Sequence, residues 1–233
     1  MTERKIAPLI DGWVPPPVPG GVELHGRFVR LEPLEPVRHA APLFAAFAGQ
    51  DWIWDYMGNG PFATVAELQA GLADIGHGHP TYVVCPQGQG PLGFACYWTV
   101  AAAMGSAEVG SITFSPALQR TPATTEAMYL MMTHAFALGY RRYEWKCNAL
   151  NLPSRRAAQR LGFSYEGIFR NHMVIKDRSR DTAWFAITDQ DWRALQRAFD
   201  QWLDPANFDA QGQQRQTLAS LTAPCLVARD PDQ

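Results

Sequence analysis

Three strand-like segments follow one another closely in the middle of the chain, and the last of them leads directly into a helix. They span residues 79–85, 91–101 and 106–114, are rich in aromatic and β-branched residues, and are separated by glycine-containing turns. The helical pattern at 122–138 begins with Pro122 and is followed by Gly139, the usual residues at a helix start and end. This order predicts an antiparallel meander whose last strand continues into a helix packed on the sheet.

The rest of the sequence continues to alternate strand and helix patterns. A strand pattern at 22–34 precedes two helical patterns, at 37–47 and 64–75, and Thr64 and Glu67 have the spacing of a capping box. After the central helix come a strand at 143–147, a helix at 153–161 ended by Gly162, a hairpin at 163–176 and 182–188, and a helix at 189–202. We therefore expect one mixed α/β (α+β) sheet of about seven strands in a single domain.

Both ends of the chain differ in composition from this central part. Residues 1–21 contain a proline-rich stretch that cannot form a helix or a central strand, and they are predicted to be an extended arm. The folded domain is expected to span residues 22–204. Residues 205–233 read as a polar tail, whose apolar patch at 218–227 is expected to dock on the domain or on a second subunit.

Charge and cysteine usage exclude several classes of function. The formal net charge of -2 argues against nucleic acid or an anionic membrane surface as a partner. No uninterrupted apolar run is long enough to span a bilayer, and we expect no signal peptide and a cytoplasmic location. The four cysteines lie far apart, so we expect free thiols and no metal site.

The segment from Glu108 to Met128 runs from a strand through a polar turn into a helix. A helix N-terminus presents unpaired backbone N–H groups and partial positive charge, and it can therefore bind a pyrophosphate. The hydroxyl groups of Thr121, Thr124 and Thr125 are candidate additional donors. The alternative is that these threonines only cap the helix.

A second polar motif, Asn148-x-x-Asn151-x-x-Ser154, lies where a strand enters a helix. Asparagine side chains in this position can bridge the amide groups of a ligand that lies along the strand, and Ser154 offers a hydroxyl near its end. The alternative is ordinary turn chemistry, for which Asn and Ser are also favoured.

These motifs together resemble the GCN5-related N-acetyltransferases. The resemblance extends from Arg27 to Ile187, and the Gly-Phe-x-x-Glu-Gly segment at 162–167 is similar to the branch of ribosomal-protein N-terminal acetyltransferases. It implies a mostly antiparallel sheet with helices on both faces, and a V-shaped splay between the fourth and fifth strands, here 108–114 and 143–148. It also implies that acetyl-CoA binds in that splay as the acyl donor.

The resemblance carries over a set of residues expected to bind coenzyme A. The family's Gln/Arg-x-x-Gly-x-Gly/Ala loop corresponds to residues 119–124, where Pro122 and Thr124 replace both glycines. We expect side-chain hydroxyls to compensate for the lost close backbone approach. The full set of expected cofactor-binding residues is Ile112, Phe114, Gln119, Arg120, Thr121, Ala123, Thr124, Thr125, Asn148, Asn151, Arg155 and Arg160. The two arginines belong to a basic cluster beside this site and either contact the adenosine 3′-phosphate or are solvated or paired.

Three residues are candidates for catalysis. Acyl transfer from a thioester needs a neutral amine, donors for an oxyanion and a proton for the leaving thiolate. The matching family serine implies that Ser154 protonates the thiolate, although it also suits a helix start. Glu108 is a candidate base that alternatively pairs with an arginine, and the family's suggested glutamate base corresponds to Met173, next to which His172 is a second candidate.

The aromatic segment at 51–60 supplies the candidate acceptor-binding residues Trp52, Trp54 and Tyr56. These side chains either form one wall of an acceptor pocket or fill space between helices.

The expected function is transfer of an acetyl group to a primary amine of a small molecule or a peptide N-terminus. A catalytically degenerate acyl-CoA-binding or regulatory module is the alternative, and a homodimer is one hypothesis for the assembly.

Overall fold

The computed structural model describes residues 6–232, whose central feature is an eight-stranded sheet in the order β1-β2-β3-β4-β5-β6-β8-β7. All neighbouring strands are antiparallel except β5 and β6, which are parallel. The strands are β1 (Leu24–His25), β2 (Val29–Pro33), β3 (Thr81–Pro86), β4 (Gly93–Ala101), β5 (Ser106–Phe114), β6 (Arg142–Asn148), β7 (Ser164–Ile175) and β8 (Arg178–Thr188). The predicted mixed, mostly antiparallel sheet is confirmed.

The structure has eight strands because the first predicted strand folds back on itself. Its two halves, β1 and β2, pair antiparallel, and the turn between them is closed by a 2.8 Å hydrogen bond from the Gly26 amide to the Val29 carbonyl. The expected pattern at 22–34 therefore contains a hairpin rather than one continuous strand.

The helices begin and end close to the predicted residues because local caps define them. Thr64 accepts a hydrogen bond from the Glu67 amide, and Thr121 accepts one from the Thr124 amide. Gly162, which follows the fourth helix, has a φ of +91°, a conformation that L side chains rarely adopt. The helices are α1 (Pro36–Phe47), α2 (Val65–Gly76), α3 (Pro122–Ala137), α4 (Leu152–Arg160), α5 (Asp189–Leu203) and α6 (Leu218–Thr222).

The two faces of the sheet are covered to different extents. One face packs against α3, α4 and α5 through a large apolar cluster that includes Tyr97, Tyr143 and Phe185. On the other face, α1 and α2 pack on a smaller cluster to which the sheet contributes Val83, Cys85, Phe94 and Cys96. These four residues belong to β3 and β4 only. Strands β5, β6 and β8 are therefore left uncovered by α1 and α2 on that face.

A buried carboxylate joins α3 to the first hairpin. Glu126 is 5% exposed and accepts hydrogen bonds from the amides of Arg27, Phe28 and Val29 at 2.9, 2.6 and 3.1 Å. A Cβ atom at Gly26 would lie 2.3 Å from this carboxylate, so the turn needs glycine there to approach the helix. The contact holds the edge of the sheet on the helix that follows β5.

The terminal segments lie on the surface of the same domain. In the arm, the Trp13 indole donates to the Ala103 carbonyl and the Tyr140 hydroxyl donates to the Pro17 carbonyl, each at 3.1 Å. Residues 1–5 of the predicted arm lie outside the described residues. In the tail, Leu218 is fully buried and the Tyr165 amide donates to the Ala228 carbonyl, so the apolar patch packs on its own chain.

Replacement of Glu126 tests the importance of the contact between α3 and the first hairpin. We expect Glu126→Ala to lower the free energy of unfolding by about 2–4 kcal/mol, because three amides lose their acceptor. Glu126→Gln keeps one acceptor oxygen and should cost less. Equilibrium urea unfolding measures both changes, and an alanine variant as stable as the wild type would contradict the assigned role.

Candidate active site

Strands β5 and β6 diverge after four residue pairs. They are paired in parallel from Ser106↔Arg142 to Val109↔Trp145, and no pairing follows. A bulge accompanies the divergence: β4 advances two residues, from Phe94 to Cys96, while β5 advances three, from Thr113 back to Gly110. The side of β5 that faces β6 therefore has no strand partner beyond Val109, which leaves its backbone groups available to an extended ligand.

A cleft of about 720 Å³ opens at this divergence. Its floor is formed by β5, β6 and β8, on the face of the sheet that α1 and α2 leave uncovered. One wall comes from the segment at 56–62 and from α2, and the opposite wall comes from the hairpin of β7 and β8. A hydrogen bond from the Tyr56 hydroxyl to the Leu150 carbonyl, at 3.3 Å, connects the first wall to the β6–α4 loop.

Glu108 is the most deeply buried carboxylate in this cleft. Its side chain is 3% exposed, and its Oε2 lies 2.8 Å from Nζ of Lys146 on the neighbouring strand. Burial raises the pKa of Glu108, and the hydrogen bond and charge of Lys146 oppose that effect. Lys146 also lies over the Trp184 ring, 5.3 Å from its centroid. The carboxylate thus combines an elevated pKa with a fixed position at the fork of the strands.

The predicted Asn-Asn-Ser motif lies at the start of α4, and all three side chains line the cleft. The Asn151 side chain accepts from the Ser154 amide at 3.2 Å, and the Asn148 side chain accepts from the Leu150 amide at 2.9 Å. Ser154 Oγ accepts from the Trp145 indole at 3.1 Å, which leaves its own hydrogen to the neighbouring Cys147 sulfur or to a ligand. The asparagine oxygens shape the loop, while their NH₂ groups have no partner among the described residues.

The loop before α3 caps the helix with its own hydroxyl groups. Thr121 Oγ1 donates to the Leu118 carbonyl at 2.7 Å, and Thr124 Oγ1 bonds the same carbonyl. Both hydroxyl hydrogens are therefore used within the loop, which leaves the backbone N–H groups at the helix start as the donors towards an anion. Arg120, at φ +61°, precedes this cap and is exposed.

The other residues expected to bind the cofactor lie around this loop. Ile112 lines the cleft, and Phe114 packs against the large core with its carbonyl accepting from the Gln119 side chain. Ala123 is buried in the first turn of α3. Arg160 donates to the Thr125 hydroxyl at 3.1 Å, which holds its guanidinium beside the first turns of α3.

His172 does not reach the cleft. Its ring is exposed on β7, contacts Phe169 and Trp184, and lies 3.0 Å from the Thr182 hydroxyl through Nδ1. It lines a separate shallow depression, whereas its neighbour Met173 lines the cleft. A register shift between Phe169 and Met173 brings the His172 ring onto Thr182 and Trp184, outside the residues that line the cleft, and its role as a base stays a prediction.

Only one of the three predicted acceptor-binding aromatic residues lines the cleft, namely Tyr56. Trp54 is 3% exposed and packs edge-to-face on Phe47 and Phe62, so it fills the smaller core. Trp52 is 52% exposed and donates to the Gln50 side chain outside the cleft. The structure therefore corrects the assignment of Trp52 and Trp54.

Arg155 is held by the C-terminal tail instead of facing a phosphate. It is 3% exposed, donates to Asp230 through Nε at 2.7 Å and through Nη2, and reaches Asp232 at 2.8 Å. Its Nη1 donates to the Ala149 carbonyl at 2.9 Å, so the ion pair also fixes the loop between the two asparagines. This corrects the expected contact between Arg155 and the cofactor.

Several polar residues of the cleft were not predicted. Lys146 on β6 and Arg180 on β8 lie on the uncovered face, and Trp98 on β4 stacks on His79 at a centroid distance of 4.3 Å. A polar residue between apolar neighbours, as Lys146 is between Trp145 and Cys147, is the sequence signal that could have identified the first of these.

The site thus combines diverging parallel strands, a helix that begins after the first of them and a polar cleft at the fork. Residues 29–164 match the family model of the acetyltransferase (GNAT) domain. The chain belongs to the GNAT acetyltransferase family, and its fold is that of an N-acetyltransferase.

Solved structures support the family assignment over most of the chain. A GCN5-related N-acetyltransferase from Brucella melitensis is 42% identical, covers 92% of this chain and 100% of its own, and has a TM-score of 0.88. A GNAT-family protein from Chromobacterium violaceum ATCC 12472 is 40% identical, with coverages of 83% and 100% and a TM-score of 0.79. None of the curated proteins matches this chain.

The resemblance to ribosomal-protein acetyltransferases is one of fold. The acetyltransferase from Salmonella typhimurium that modifies the N-terminal serine of ribosomal protein L7/L12 is 17% identical, with a TM-score of 0.62. It covers 70% of this chain and 96% of its own.

The described residues contain neither a metal-binding cluster nor a membrane-spanning helix. No group of three or more His, Cys, Asp or Glu residues in positions 6–232 could hold a metal ion. Within the same part of the chain, no helix is long and apolar enough to cross a membrane.

Replacement of Arg155 tests its role as a structural ion-pair partner. We expect Arg155→Met to lower the free energy of unfolding by about 3–5 kcal/mol, because it leaves the Asp230 carboxylate buried without its guanidinium. The neighbouring Arg156 is exposed, and Arg156→Met should stay within about 0.5 kcal/mol of the wild type. Chemical denaturation measures both, and equal stability of the two variants would overturn the assignment.

Proposed function

We propose that this protein is an acetyl-CoA-dependent N-acetyltransferase that transfers the acetyl group directly to a primary amine. The observation that carries the proposal is the position of Glu108 beside the unpaired side of β5. A buried carboxylate, the Ser154 hydroxyl and free backbone N–H groups all line one cleft. Together these groups match the needs of amine acylation by a thioester.

In this proposal the donor binds between β5 and β6, with its pyrophosphate at the start of α3. When bound, acetyl-CoA supplies a thioester carbonyl carbon for attack by the amine nitrogen. The backbone of residues 110–114 pairs with the extended part of the donor, because this side of β5 lacks a strand partner. Asn148 and Asn151 offer NH₂ donors from the opposite side of the fork.

The chemical step needs two proton transfers. A C–N bond forms and the C–S bond breaks; Glu108 takes the proton that the amine loses, directly or through water. Ser154 donates its hydroxyl proton to the leaving thiolate and regains one from solvent. Its Oγ already accepts from the Trp145 indole, which orients the hydroxyl and favours donation. Lys146 holds the Glu108 carboxylate in place and limits the rise in its pKa.

The alternative is an acyl-CoA-binding module without catalysis. It is favoured by the loop before α3, where Pro122 and Thr124 replace glycines and the hydroxyls of Thr121 and Thr124 bond the Leu118 carbonyl. That loop offers a bound pyrophosphate fewer hydrogen-bond donors than a glycine-rich loop would.

The acceptor, the location and the assembly belong to the same proposal. A primary amine of a small molecule or a peptide N-terminus is the proposed acceptor. A cytoplasmic location is supported by four free cysteines, three of which are buried. For a homodimer, exposed apolar side chains such as Trp52, Val174 and Val227 offer surface, whereas the tail residue Leu218 is already buried within the chain.

Measurements of acetyl-CoA binding and turnover distinguish an acetyltransferase from a module that only binds acyl-CoA. We expect calorimetry to detect acetyl-CoA binding to the full chain, and thiol release to increase when a panel of primary amines is added. Binding without amine-dependent thiol release would support the non-catalytic module. Absence of binding would contradict both functions.

The pH dependence of kcat/KM tests Glu108 as the base. Glu108 acts only when ionised, and burial raises its pKa, so activity should fall as the pH drops through that elevated value. Lys146→Met removes the charge that opposes this shift and should move the acidic limb to higher pH. Glu108→Gln should lower kcat by about 10²–10⁴-fold with little change in acetyl-CoA affinity. If the acidic limb of the pH profile does not move in Lys146→Met, the pair of Glu108 and Lys146 does not supply the catalytic base.

A further inference from the structure

A second cationic side chain besides Lys146, that of Arg180, lies in the open cleft without a carboxylate within ion-pair distance among the described residues. It belongs to β8, pairs across the hairpin with Met173, and lines the cleft together with Glu108 and Lys146. Side chains alternate along a strand, so Arg180 shares a face with Trp184, the residue over which Lys146 lies. This is the face that α1 and α2 leave uncovered.

The contacts of Arg180 leave most of its donors unused. Its Nε donates to the Thr182 hydroxyl at 3.2 Å, which directs the side chain back along β8 towards Trp184. Among residues 6–232, no carboxylate lies within 4.0 Å of it, in contrast with Arg30, Arg142 and Arg155. Burial lowers the pKa of Arg180, which reflects the cost of removing this charge from water.

A guanidinium that is partly desolvated and unpaired is suited to receive an oxyanion. The planar fork binds carboxylate or phosphate oxygens through two parallel hydrogen bonds. Such an anion would recover free energy lost by desolvation, which the more distant charge of Glu108 offsets only in part.

We infer that the acceptor is a small amine that also carries an oxyanion, in the first instance an amino-carboxylate, and that Arg180 binds the oxyanion. The inference rests on the proposed function and assigns its substrate class. Arg180 and Glu108 line the same cleft, and Lys146, which contacts Glu108, lies over Trp184 on the same face of β8 as Arg180. A small compound with its anion on Arg180 would thus place its amine on the side of the base.

The charges on the opposite wall fit such a zwitterion. Asp74 of α2 is exposed, lines the same cleft and has no ion-pair partner among the described residues. It faces the cleft from the side opposite Arg180. The Asp74 carboxylate would attract an incoming ammonium group, while the guanidinium would attract the oxyanion.

The position of Arg180 argues against a role in binding the phosphates of coenzyme A. The start of α3 packs on the large apolar cluster, on the other face of the sheet, through Ala123 and Ala127. Arg180 instead lies on the face of the sheet that carries α1 and α2, in the part that these helices leave uncovered.

A small acceptor fits the enclosure of the cleft better than a protein chain. The Tyr56 hydroxyl bonds the Leu150 carbonyl, and Lys176 Nζ at the hairpin tip donates to the Trp54 carbonyl at 3.0 Å. The first contact joins one wall to the β6–α4 loop, and the second joins the β7–β8 hairpin to the segment that leads into that wall.

Matched pairs of acids and amides test the inference. L-amino acids, their carboxamides and the corresponding aminophosphonates are titrated calorimetrically into the full chain, with and without saturating coenzyme A. For at least one amino acid we expect the carboxylate to bind about ten- to a hundredfold more tightly than its amide. The phosphonates show whether carboxylate or another oxyanion is preferred.

Three variants separate this role from others. Arg180→Met should abolish the preference for the acid over the amide, and Arg180→Lys should retain only part of it because an ammonium cannot form the two-pronged contact. Arg170→Met removes an exposed arginine of the same hairpin that lies outside the cleft and should leave the preference intact. Thermal unfolding verifies that the variants are folded.

The proposal is overturned if acids and amides bind equally, if no acid binds, or if Arg180→Met weakens both alike. A fall in kcat for all amines with unchanged discrimination would instead assign Arg180 to the leaving thiolate, and would also overturn it. Failure of the acetyltransferase function is detected separately, by absence of acetyl-CoA binding. The comparison of acids with amides can still be measured without coenzyme A.

Discussion

The divergence of β5 from β6 after Val109 is the constraint on which the rest of this structure depends. In a sheet, each strand normally satisfies the backbone groups of its neighbours, so two parallel strands that separate leave donors and acceptors open. The bulge between β4 and β5 supports the separation from the other side, with Ser111 at φ +47°. In the proposed function, the donor would lie along β5 and complete the sheet at this position.

The unequal covering of the two faces turns this opening into a two-sided site. On one face, the large apolar cluster holds the starts of α3 and α4 next to the fork. On the other face, α1 and α2 cover only β3 and β4, so the floor beyond them consists of charged and aromatic side chains. The pair of Glu108 and Lys146 lies where the two sides meet. Buried ion pairs stabilise a fold weakly, and the position of this pair at the fork is better explained by function.

Much of the fold was predictable because its signals are local. Thr64, Pro122 and Gly162 define helix ends through contacts within a few residues, and the helices begin and end close to where these residues place them. The number of strands was harder to predict from the sequence, because the turn at Gly26 that divides β1 from β2 depends on the Glu126 carboxylate of a distant helix. The motif of Asn148, Asn151 and Ser154 was predicted for the same reason as the helix ends: it forms one strand-to-helix junction.

The sequence by itself determined the order of elements, their caps and the acyltransferase family, because these depend on short-range patterns. Only the tertiary structure decided which polar side chains share the cleft. Arg155 is bound by the carboxylate of Asp230, 75 residues away in the sequence. Trp54 fills space in the smaller core, between Phe47 of α1 and Phe62. Lys146 and Arg180 both line the cleft because β6 and β8 are neighbours in the sheet. Pairings across such separations are set by how the elements pack, and residue type and spacing along the chain do not specify them.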